Sequence, residues 1–174
     1  IFILPKLKFT TLDSRRRYLI LQRKTIKVYP YAKLASERLK LLNMRMQLLK
    51  SKHSKKKYAR MVQKFVEEEF AEKLKRNTVT EGQILIKLIH RQTGDTAFDL
   101  IKSLRSSWRA YWYNNFAKLF KMSLKTPFDP LLSEEDYLIE DILQRQFQNG
   151  RLDYQKSYKE FDLYKLSKKW KLIK

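Results

Sequence analysis

Turn-forming residues are scarce in this chain, with three Gly and four Pro among 174 residues. An all-β sandwich or barrel reverses direction every few residues and needs such residues at its corners. That architecture is excluded here. The abundance of Leu, Lys, Arg, Gln and Glu between so few breakers favours long helices. With 43% hydrophobic residues, including ten Phe, ten Tyr and three Trp, there is enough apolar material for a core. The expected fold is mainly α, with about six helices.

Residues 1–9, Ile1-Phe2-Ile3-Leu4-Pro5-Lys6-Leu7-Lys8-Phe9, read as an extended arm or edge strand, because Pro5 sits in an apolar, β-prone run. Asp13 is the expected N-cap of a first helix over 13–28, with Tyr18, Leu19, Leu21 and Ile26 on its buried side. Tyr29-Pro30 is expected to kink it or break it briefly, since the residue before a proline is pushed away from helical backbone. A second helix over 30–51 then carries Leu34, Leu41, Leu42, Leu48 and Leu49. After a basic turn at 51–57, a third helix over 55–76 repeats Tyr58, Met61, Val62, Phe65, Val66, Phe70 and Leu74. The short connection predicts an antiparallel hairpin. Thr80 with Gln83 suggests a capping box for a fourth helix over 81–92. Its Ile84, Leu85, Ile86, Leu88 and Ile89 cover most sides, so it belongs at the centre, with Gly94 closing it. Phe98, Ile101, Leu104, Trp108, Trp112, Phe116 and Leu119 mark a fifth helix over 96–121. Ser133 followed by three acids starts a sixth, ending at Asn149-Gly150. Residues 151–174 show no clear period and read as a basic tail anchored by Trp170. The division expected is an arm at 1–12, a basic helical hairpin region at 13–77, a helical core lobe at 78–150 and the tail.

Charge then narrows the function. The formal net charge is +21, and it is uneven: residues 1–66 hold 19 Lys and Arg against Asp13 and Glu37, whereas residues 67–174 hold 20 basic and 16 acidic residues. A surplus that large repels itself in the folded state and calls for an anionic partner. Arg15, Arg16, Arg17, Arg23, Lys24, Lys27, Lys55, Lys56 and Lys57 are the candidate contacts, together with Tyr29 and Tyr31. They suit an acidic protein groove, anionic lipid head groups, or RNA, whose bases the tyrosines would stack on. No helix-turn-helix, RRM, KH or zinc-finger pattern supports the RNA reading. Arg91, Arg109, Tyr113, Asn114 and Trp170 add further contact candidates, because Trp, Tyr and Arg are the residues that anchor interfaces.

Catalytic chemistry has little to work with. The chain has no Cys and only His53 and His90, too few soft or imidazole ligands for a protein-encoded metal site. Three glycines build neither a phosphate loop nor a nucleophile elbow. A hydrolase using His90 with Glu81 is the weakest reading. Glu81, Asp95 and Asp99 are expected instead to cap helices and pair with Arg91, Lys102 and Arg105. No catalytic residue, metal or cofactor is expected.

Four stretches carry a resemblance. They are Lys27-Val28-Tyr29-Pro30-Tyr31-Ala32-Lys33-Leu34-Ala35, the run from Thr80 to Gly94, the run from Leu104 to Asn114, and Tyr137-Leu138-Ile139-Glu140-Asp141-Ile142-Leu143. Over about Ile3 to Gln148 the chain resembles an uncharacterised Bacteroidota family, a domain of unknown function. The resemblance implies a signal peptide upstream of Ile1, export to the periplasm and a role in the cell envelope. It further implies a non-enzymatic accessory subunit of the type IX secretion translocon, docked among protein subunits at the outer membrane. The alternative is a cytoplasmic RNA- or ribosome-associated protein, the only setting in which nucleic acid is the partner.

Overall fold

The computed structural model describes residues 4, 6–58, 60, 61, 76–96 and 127–172, apart from the side chains of 39, 42, 43, 46, 171 and 172. The fold is mainly helical, with no strand among the described residues. The principal elements are α1 (Leu12–Leu48), α2 (Val79–Thr93), α3 (Glu134–Gln148) and α4 (Leu163–Leu172). Residues 52–58 are also helical. The fifth helix expected over 96–121 lies outside the described residues, except Thr96, as does most of the third.

Helix α1 departs from expectation at both its start and its middle. Its N-cap is Thr11 rather than Asp13: the Thr11 hydroxyl accepts the Ser14 N–H at 3.1 Å, and the Ser14 hydroxyl oxygen accepts the Thr11 N–H at 3.3 Å. This reciprocal pair satisfies two donors that a helix start otherwise leaves open. Asp13 sits in the first turn, where its charge suits the helix dipole. Of the kink or short break expected at Tyr29-Pro30, the break is absent: α1 runs through Pro30 for 37 residues, about 55 Å at the usual rise. The reason is packing on both sides of the proline. Val28, Tyr29 and Ala32 are essentially inaccessible to solvent, and the Tyr29 hydroxyl donates to the Asp153 carbonyl at 2.8 Å. Core contacts on both flanking turns hold the helix across a residue that supplies no N–H.

Helix α2 lies at the centre, as its all-round apolar pattern required. Ile84, Leu85 and Leu88 pack with Val28, Tyr29 and Ala32 of α1, Ile139 and Leu143 of α3, and Phe128 from the loop before α3. Fully burying each such side chain contributes about 1.5–3 kcal/mol. The basic stretch 13–77 therefore supplies part of the core. The cap of α2 is Thr78 rather than Thr80. Its hydroxyl accepts the Glu81 N–H at 3.3 Å, and Glu81 Oε2 accepts the Thr78 N–H at 2.8 Å. Glu81, three residues after Thr78, is the better partner because its carboxylate also meets the positive end of the dipole. Gly94 ends α2 in left-handed backbone, φ +83°, and Ser133 caps α3 as expected.

Residues 151–162 are irregular and return across the bundle. The Tyr158 N–H donates to the Arg91 carbonyl at 2.9 Å. A Cβ on Gly94 would stand 2.9 Å from the Tyr158 ring, so glycine permits both the turn and this close approach. The expected basic tail is in part a helix: Asp162 Oδ1 accepts the Lys165 N–H at the start of α4, and Leu166 is buried. Its lack of a visible period reflects its length of ten residues, too few for an amphipathic pattern to repeat often.

Candidate functional site

Two sets of charged residues are separated by the fold: one turned inward and neutralised, the other turned outward. The inward set centres on Arg91 and Glu140, whose side chains are 1% and 2% exposed. Arg91 Nε and Nη2 donate to Glu140 Oε2 and Oε1 at 2.6 and 2.9 Å. Gln144 also donates to Glu140 Oε1 at 2.9 Å. This bidentate pair joins α2 to α3 with the geometry that makes a buried charge tolerable. Lys87 bridges Glu135 and Asp136 at 2.8 and 2.6 Å, and Arg145 holds Asp141 at 2.7 Å. Lys27 of α1 reaches Glu81 at 2.9 Å.

Glu81 and Lys87 are shifted by these contacts. Burial disfavours the Glu81 carboxylate, but Lys27 and Thr78 outweigh it and hold the carboxyl below its ordinary range. Burial likewise disfavours the Lys87 ammonium, and Asp136 and Glu135 reverse the effect and raise it. His90 Nδ1 accepts the Phe128 N–H at 3.0 Å, and its ring meets Tyr158 edge-on at 5.4 Å. Neither His90 nor Glu81 is presented to solvent. Among the described residues no group of His and carboxylates could hold a metal ion.

The outward set lies mainly on α1. Its buried side is formed by Tyr18, Thr25, Val28, Tyr29, Ala32 and Ser36, recurring at helical spacing. Away from it Arg16, Arg17 and Arg23 are exposed, as is Arg15 at its edge; Lys27 is also exposed but is already paired with Glu81. Arg17 pairs with Asp13 at 2.7 Å, both well exposed, a contact worth little in water. Of these arginines only Arg17 has a carboxylate partner among the described residues. Leu19 and Ile20 stand among them, 50% and 39% exposed. Leu19 had been expected to face the core, but it lies one position past Tyr18 and so turns outward. Further along, Lys56 and Lys57 are exposed and Lys55 is half-buried.

Several expected contact residues are instead internal. Tyr29 is 1% exposed and Arg91 1%, so neither reaches a partner's surface. Arg91 pairs with Glu140 and not with Glu81 or Asp95, because Glu140 of α3 faces this end of α2; Asp99 lies outside the described residues. The signal available beforehand was an arginine at the end of a helix apolar on nearly all sides. Lys24 and Tyr31 are half-buried. Trp170 turns inward: its indole N–H donates to the Pro130 carbonyl at 2.9 Å, and its ring stacks on Tyr137 with centroids 6.3 Å apart. Arg109, Tyr113 and Asn114 lie outside the described residues. A shallow recess of about 350 Å³ opens beside Tyr29, Lys33, Glu37 and Arg151, and Lys33 crosses to Asp153 there at 3.3 Å. No helix among the described residues is long and apolar enough to cross a membrane.

No curated protein and no solved structure matches the chain. Residues 1–145 match the family described as a domain of unknown function (DUF4294), and the chain belongs to that family.

Proposed function

We propose that this DUF4294 protein is a non-enzymatic docking subunit that binds an acidic protein partner through the outer face of α1. The observation that carries this reading is the sorting of charge. The acids Glu81, Asp136, Glu140 and Asp141 are drawn into the packed bundle and matched there by Lys27, Lys87, Arg91 and Arg145. Arg15, Arg16 and Arg23 stay outside beside Leu19 and Ile20. Apolar side chains ringed by arginines are the composition of an interface with an acidic surface. A rigid helix held along one side by the core is preorganised to present them.

The envelope setting, with the type IX secretion translocon at the periplasmic side of the outer membrane as the partner complex, rests on the family resemblance alone. The test is a photo-crosslinker placed at Ile20 in the full chain, followed by purification from membranes in mild detergent. A stoichiometric acidic subunit crosslinked at this position, and lost from an R15E/R16E/R23E variant, supports the reading. Crosslinks to RNA or ribosomal proteins, released by salt, would replace it with the nucleic-acid alternative.

A further inference from the structure

Between Glu37 and Glu67 the chain contains no acidic residue and ten Lys and Arg. In the described part of this stretch several apolar side chains are exposed. Ser36 is the last buried residue of α1 among those described. Beyond it Leu41, Met44 and Leu48 are 44%, 62% and 79% exposed, and Met61 is 57% exposed. Leu41 and Leu48 belong to the apolar stripe expected of the second helix; they are presented to solvent instead.

Their arrangement is regular. At about 100° per residue, Leu41, Met44 and Leu48 fall within about 60° of one another around α1. Arg38 and Arg45 flank this stripe on one side and Lys40 on the other. Seven of the ten cations in the acid-free stretch are lysines: Lys40, Lys50, Lys52, Lys55, Lys56, Lys57 and Lys64. Lysine acts as a flexible point charge, suited to a diffuse negative field rather than to one fixed carboxylate or phosphate. Its stem also lies along apolar surface while the ammonium stays in water.

We propose that this segment binds the surface of an anionic lipid bilayer, with Leu41, Met44 and Leu48 entering the head-group boundary and the surrounding lysines meeting lipid phosphates. Exposed unbranched or γ-branched apolar side chains flanked by cations are the features of an interfacial helix. The lysine-rich stretch 50–57, helical from residue 52, offers several flexible point charges rather than one fixed pairing geometry. RNA would gain little from the aliphatic stripe, because single strands are held by aromatic stacking. Tyr58, the one aromatic residue in the described part of the stretch, is half-buried and already lies under Arg45, 5.9 Å from its ring centroid. The inference extends the docking reading to a second surface, and its chemistry rests on this segment alone.

The experiment is co-sedimentation of the full chain with vesicles of phosphatidylcholine, alone or mixed with phosphatidylglycerol. Binding is expected only to the mixed vesicles and to weaken as salt rises. Charge reversal of Lys55, Lys56 and Lys57 together should lower affinity at least 100-fold, since each cation near such a surface contributes about fivefold. An L41S/M44S/L48S variant, altered only at exposed positions, should keep the helical circular dichroism and lose most binding. Equal binding to both vesicle types, no binding to either, or binding unchanged in the serine variant would overturn the proposal. An R15E/R16E/R23E variant that loses its protein partner yet still sediments with vesicles would separate this surface from the docking face.

Discussion

At the scale of single residues, the arginine that joins α2 to α3 is the most consequential side chain. Arg91 is both desolvated and charged, so its contribution depends on Glu140 being ionised beside it. Glu140→Gln keeps the shape of the site and leaves the guanidinium without a counter-charge. Denaturant unfolding should show a loss of about 3–5 kcal/mol. The double variant Arg91→Met with Glu140→Leu removes both charges and should recover most of that loss. If the single and double variants unfold alike, the pair contributes through packing and not through charge. Arg91 illustrates what a residue type conveys alone: arginine near the end of an apolar helix looks like a contact residue until the opposite helix is known.

At the scale of elements, α1 shows core packing overruling a local signal. Proline inside a helix removes a hydrogen bond and crowds the preceding turn, at a cost of about 3 kcal/mol. Here the Val28, Tyr29 and Ala32 contacts with α2 and α3 offset it. Pro30→Ala should therefore stabilise the protein, by about 1–3 kcal/mol, because Pro30 is itself exposed and leaves no core cavity. A higher midpoint in thermal unfolding with unchanged helicity is the expected result. A lower midpoint would mean that the proline ring contributes to the adjacent recess. The caps give a finer version of the same contrast. Ser133 and Gly94 were legible because their partners lie within the same few residues. Thr11 and Thr78 were missed in favour of nearby candidates, since several capping residues occur close together and only the backbone path chooses among them.

At the scale of the whole molecule, the packed bundle changes how the chain responds to alkali. Tyr18 and Tyr29 are raised to about 12, chiefly because burial disfavours the phenolate, with Asp141 adding to the effect at Tyr18 and Arg91 opposing it at Tyr29. Burial and Asp141 raise Tyr137 as well, and Lys87 is raised by its carboxylates against the opposing effect of burial. A group raised on folding adds stability that is complete below its unfolded value and is lost as pH climbs through its folded value. From neutral pH upward stability should thus be nearly level to about pH 10 and fall between about pH 10 and pH 12. Thermal melts across that window would check this, and Tyr29→Phe should reduce the slope even though it removes the bond to Asp153. An unchanged slope in that variant would assign the loss to the remaining groups.

The sequence by itself determined the fold class, the central position of α2 and the concentration of positive charge in the first third. These follow from helix propensity, from periodicity and from counting, none of which depends on distant residues. Tertiary structure alone decided that α1 is continuous, that Tyr29, Arg91 and Trp170 face inward, and that Leu41, Met44 and Leu48 do not. The three inward-facing side chains each turn on a partner far away in the chain: Asp153 for Tyr29, Glu140 for Arg91, Pro130 and Tyr137 for Trp170. Local sequence specifies what a side chain can bond with; whether it meets water or another helix is set by how the elements pack, and burial reverses the energetic meaning of the same residue.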